Sequence, residues 1–110
     1  MKAYIDFSVV TPTGAVGRVH GEIDFQIVPR AGEIVSFMFP PEERTLPPVV
    51  PSFGFQIAVQ KVLHSPWSES NQIQLALEDV CIATVPEAVQ VMQYFRDGFQ
   101  LNTDTLEDDA

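Results

Sequence analysis

Cysteine occurs once in the 110 residues, at Cys81, so the chain forms no internal disulfide. Its stability must come from packing, and the single thiol favours a reducing compartment; the expectation is cytoplasmic. Histidine occurs only as His20 and His64. With Cys81 they share no CxxC or HxxxH spacing, so neither a metal site nor a bound cofactor is expected. Six basic residues are scattered at positions 2, 18, 30, 44, 61 and 96. Nucleic acids and anionic membranes reward clustered cations through counterion release, so neither is expected as a partner. No apolar run approaches the roughly 18 residues of a membrane span, and Asp6 interrupts the segment a signal peptide would need.

Catalytic signatures are equally sparse. There is no GxSxG elbow, SxxK or phosphate loop. Gly14-Ala15-Val16-Gly17 lacks the lysine and helix a phosphate cradle needs, and reads as a hairpin turn. Cys81 lies in an apolar strand, where free cysteine acts as a small buried hydrophobe rather than a nucleophile. The acid pairs Glu42-Glu43 and Glu78-Asp79 have no visible supporting groups. No catalytic residue is assigned, and the chain is read as non-enzymatic.

What is present is acid and aromatic. Fifteen acids against six bases give a formal charge of −9. Four of the acids, Asp104, Glu107, Asp108 and Asp109, sit at the C-terminal end; removing them from −9 leaves −5 for the rest. Eight phenylalanines point to an aromatic core.

Period-two alternation marks strands. Ile5, Phe7 and Val9 alternate with Asp6 and Ser8 over 3–10, and Thr11-Pro12-Thr13-Gly14 reads as a turn. Over 16–28, Val19, Ile23, Phe25 and Ile27 share one face, while Arg18, His20, Glu22, Asp24 and Gln26 share the other. Gly21 on the apolar face marks a bulge, a sharp bend or the close approach of another backbone. Residues 33–39 are nearly all apolar, which predicts a strand covered on both faces. Strands are also read over 53–64 and 71–83. The apolar phase slips by one residue near Lys61 and at Glu78-Asp79, which predicts bulges.

Thr84-Val85-Pro86-Glu87 fits a capping box opening a helix over about 85–98. Ala88, Val91, Met92, Phe95 and Phe99 form its apolar stripe, and Gly98 is read as its terminator. The expected fold is mainly β, as one domain over 1–100: a small antiparallel barrel or curled five-stranded sheet, capped by the C-terminal helix. An open α+β sheet is the alternative. The acidic segment 101–110 is read as a flexible tail.

Binding candidates follow from exposure. Residues 40–52 hold five prolines and form a loop. In it Leu46, Val49 and Val50, with Phe53, make an apolar stripe. Trp67 stands in a turn, where it either covers the core or anchors a partner. Glu22 and Asp24 on one strand face, with Asp6, form an acidic row. Three functional classes remain: a protein-binding or assembly module, self-associating in one form; an acidic inhibitor of a basic partner such as a nuclease; and a small-ligand binder or enzyme using a barrel mouth.

Overall fold

The computed structural model describes residues 1–40, 46–51, 53–64 and 73–105. Over these the chain is mainly β with one helix near its C-terminal end. Alternation over 3–10 produces β1 (Lys2–Thr11), with Ala3, Ile5, Phe7 and Val9 all buried. Pro12 and Thr13 turn the chain, and β2 (Gly14–Asp24) returns antiparallel. Next come β3 (Ile34–Ser36), β4 (Gln56–His64), β5 (Ile73–Leu77), β6 (Val80–Cys81), α1 (Val85–Phe99) and β7 (Asn102–Thr105). The strand order is β3-β4-β5-β1-β2-β7, with β6 also paired to β1.

Two parts of the expected architecture are corrected. The sheet is mixed rather than antiparallel, because β5 and β6 both run parallel to β1. Among the described residues it has seven strands and is not closed into a barrel, as in the open-sheet alternative. On its far side β2 pairs with β7 over Gly17–His20, while β3 pairs only with β4. β3 is also short, and the nearby Pro29 and Pro40 lack the N–H a longer ladder would need.

The predicted phase slips are real. Against β1 the register passes from Asp6↔Ala76 to Val9↔Val80, one residue more on the β5–β6 side. Between β4 and β5 the shift falls between Val59 and Lys61. A further shift opposite Val9/Val10 buries both Val16 and Gly17.

The helix packs on the β1–β2–β7 part of the sheet. The Thr84 hydroxyl accepts from the Glu87 N–H at 3.4 Å and donates to Glu87 Oε1 at 2.8 Å. Ala88, Val91, Met92 and Phe95 are buried, joined by Tyr94. Phe95 packs edge-on against Phe7 and Phe37, with centroids 5.1 and 5.0 Å away. Gly98 does not end the helix; it is buried within it, and Gln100 takes the left-handed conformation instead, at φ 59°.

The start of the tail, 101–105, is corrected as well; Glu107, Asp108 and Asp109 lie outside the described residues. Leu101 is buried and Asn102–Thr105 forms β7. Two glycines of β2 make room for it. A Cβ on Gly17 would lie 2.5 Å from the Asp104 carbonyl oxygen, and one on Gly21 would lie 2.8 Å from Leu101 Cδ2. Gly21 therefore marks the close approach its position implied.

Candidate functional site

An open sheet has two outer strands, and the outer edge of β3 is distinctive. Val59 N–H bonds the Glu33 carbonyl and Phe37 N–H bonds the Phe55 carbonyl, each at 2.8 Å. Hydrogen-bonded pairs alternate along an antiparallel ladder. The odd residues 33, 35 and 37 therefore face β4, and the N–H and C=O groups of Ile34 and Ser36 point outward. No strand among the described residues pairs with them there.

That edge borders a cavity of about 340 Å3. One wall is the end of β2 with Phe25; the other is Val35, Ser36, Phe37 and Phe39; Phe99 of α1 contributes from the helix. A second depression shares Phe25, Val35 and Ser36 with it and continues to Ile27, Pro29 and Ile34. Together they form one groove along the unclosed seam between β2 and β3. Ile27, Ile34 and Phe39 are 83%, 64% and 89% exposed. Isolated exposed apolar residues are ordinary; a cluster beside an open strand edge is less so, and makes this the candidate site. Two expectations are overturned here. Ile27 leaves the apolar face because β2 ends at Asp24. Residues 33–39 are not covered on both faces: Val35 and Phe37 are buried, while Ile34 and Phe39 are exposed.

The rim of the seam is acidic. Glu22 and Asp24 line it, and Glu33 adjoins β3. Asp24 accepts from the N-terminal ammonium at 2.9 Å, which also donates to the Phe25 carbonyl at 2.8 Å. That hydrogen bond and the ammonium's charge hold the Asp24 carboxyl below its ordinary value. Arg30 lies 3.7 Å from Glu33.

A second polar cluster occupies the sheet face opposite the helix. Arg18 makes a bidentate pair with Asp6, both bonds at 2.8 Å, and this hydrogen bonding and charge raise the Arg18 pKa. His20 Nε2 lies 3.0 Å from Asp104 Oδ2, and its Nδ1 is hydrogen-bonded to the Tyr4 hydroxyl. A carboxylate only accepts, so in the neutral ring Nε2–H donates to Asp104 and Nδ1 receives the Tyr4 O–H. The chain of bonds ties β1, β2 and β7 together. Tyr4, Asp6 and Arg18 also border a depression of about 330 Å3 with Leu63, Gln74 and Ala76. These polar groups are turned toward one another, which is what a cross-strand ladder does on a solvated face.

The candidates read from sequence separate. Glu22 and Asp24 reach the seam, whereas Asp6 leaves their row to pair with Arg18. Leu46 and Val49 are exposed, but Val50 is buried and Phe53 packs on Phe55, so the loop stripe is broken. Trp67, Glu42 and Glu43 lie outside the described residues. Cys81 is exposed, not buried. The reason is parity: the buried neighbours Val80 and Ile82 turn it to the opposite face. No group of three or more potential metal ligands occurs among the described residues. None of their helices is long and apolar enough to cross a membrane.

Phe25, Ile34 and Phe39 were not singled out as site residues by sequence reasoning. The available signal was Pro29 and Pro40 bracketing a short apolar run, which predicts a marginal strand. Asp104 was assigned to the tail, although Leu101 and the β-branched Thr103 and Thr105 carry strand character.

Fold and site together define a small mixed-sheet domain with one helix and an open, apolar strand edge. The chain matches no protein-family model, no curated protein and no solved structure.

Proposed function

We propose that this protein is a non-enzymatic binding module that captures an extended segment of another polypeptide by adding it as a strand to β3. The observation that carries the reading is the outward-facing backbone of Ile34 and Ser36 beside the apolar seam. Strand addition draws affinity from main-chain hydrogen bonds and specificity from pockets for alternate side chains. Two residues offer four backbone groups. At a net of about 1 kcal/mol each they supply about 4 kcal/mol, which the entropic cost of association consumes. Useful affinity must therefore come from side chains entering the groove past Phe25, Phe37 and Phe99.

Binding is favoured over catalysis because the polar residues of the other face satisfy one another, Asp6 with Arg18 and His20 between Tyr4 and Asp104. A single, exposed thiol fits work in a reducing compartment such as the cytoplasm.

Ser36→Pro tests the reading. Proline at this position removes one outward N–H and none of the bonds to β4. Random octapeptides displayed on phage should yield extended, apolar-containing binders on the wild type and none on a folded Ser36→Pro variant. Equal enrichment on both would remove β3 as the site.

A further inference from the structure

Resting on that reading, we infer that the captured segment is cationic, with basic and apolar residues in alternation. The period comes from the two walls of the seam. On β2, Ile23 turns to the inner face, while Glu22 and Asp24 turn outward. On β3, Val35 is buried and Ile34 and Ser36 face out. A strand lying between them has the same period of two. Its inward residues enter the space bounded by Ile23, Phe37 and Phe99, where only apolar groups avoid an unpaired polar atom. Its outward residues come up beside Glu22 and Asp24. The carboxylate of Asp24 and the neighbouring Phe25 carbonyl already accept one ammonium group, that of Met1.

Charge also decides between candidate occupants. A second copy of this chain brings another formal charge of −9 to a rim where Glu22, Asp24 and Glu33 stand against the Met1 ammonium and Arg30. Like-charge juxtaposition opposes that contact and steers a basic segment toward it. The partner is therefore a different polypeptide with an extended basic-apolar stretch, rather than this protein itself.

The test uses the full chain and three blocked octapeptides in calorimetric titrations. One alternates Lys and Val, one alternates Glu and Val, and one carries four Lys followed by four Val. The alternating Lys/Val peptide should bind at least about tenfold tighter than either other peptide, and more weakly as salt rises. Its binding should be lost in Ser36→Pro. Equal affinity of the Lys/Val and Glu/Val peptides would overturn the cationic assignment while leaving strand capture standing. Equal binding of the block peptide, or undiminished binding to Ser36→Pro, would show charge attraction without strand pairing and overturn the inference. Failure of every peptide to bind would overturn strand capture itself. A salt-insensitive dimer with protected Ile34 and Ser36 amides in the free protein would assign the edge to a second copy.

Discussion

The Tyr94 hydroxyl donates to the Phe37 carbonyl, joining the middle of the helix to the end of β3 across 57 residues of sequence. This carbonyl is available because Phe55, its counterpart across the ladder, takes a left-handed conformation at φ 59° and ends the regular pairing. Phe37 also packs on Phe95 and Phe99. One wall of the seam is thus held by the helix through a hydrogen bond as well as by ring contacts.

Tyr94→Phe keeps the ring and removes the donor, leaving a buried carbonyl without a partner. The expected cost is about 1–3 kcal/mol, read as a lower denaturation midpoint with an unchanged slope. Burial raises the Tyr94 pKa, so the folded state favours the protonated phenol. That contribution is complete below the ordinary value of 10.0 and is lost as pH rises through the folded value. Wild type should therefore lose stability in this alkaline range more steeply than Tyr94→Phe. Parallel curves would contradict the assignment.

Phe95 is fully buried between Phe7 of β1 and Phe37, just past β3. Phe95→Ala should cost about 3–5 kcal/mol, and Phe95→Asp should unfold the domain. A thermal melt unchanged by either substitution would show that the helix is not part of the core.

Gly17→Ala tests the docking of β7. The added Cβ meets the backbone oxygen of Asp104 as well as the flexible end of Met92, and the backbone atom cannot simply rotate away. The variant should lose about 1–3 kcal/mol, together with amide protection in β7 and the contact between His20 and Asp104. Retained protection at Asn102 and Asp104 would refute the close approach.

Gln100 ends the helix in the left-handed region, where a side chain is disfavoured and glycine is not. Gln100→Gly should raise stability by up to about 1 kcal/mol, visible as a higher melting temperature. A decrease would mean the Gln100 side chain makes a contact worth more than the relieved strain.

Local pattern made much of the fold legible. Thr84 and Glu87 announced the helix start, and the phase slips at Glu78-Asp79 and Lys61 correspond to real register shifts. What pattern could not supply was neighbourhood. Alternation says that Ile73–Leu77 is a strand, but not that it lies parallel to β1. Gly98 looked like a terminator because glycine suits that place, yet the helix continues through it. Charge was also misleading near the end of the chain: Asp104 read as tail, although its backbone pairs with Arg18 and its side chain meets His20. Half of the candidate surface was visible as Glu22 and Asp24. The other half, Phe25, Ile34 and Phe39, emerges only from the strand order, which leaves β3 at the margin of the sheet beside the end of β2.

Amide exchange at β3 tests the central claim most directly. In the free protein the N–H groups of Ile34 and Ser36 should exchange quickly, while that of Phe37, bonded to the Phe55 carbonyl, exchanges slowly. Saturation with the alternating Lys/Val peptide should slow Ile34 and Ser36 at least about tenfold and leave Phe37 nearly unchanged. Slow exchange at Ile34 and Ser36 before any peptide is added, or rates unaltered by bound peptide, would contradict an open edge that captures a strand.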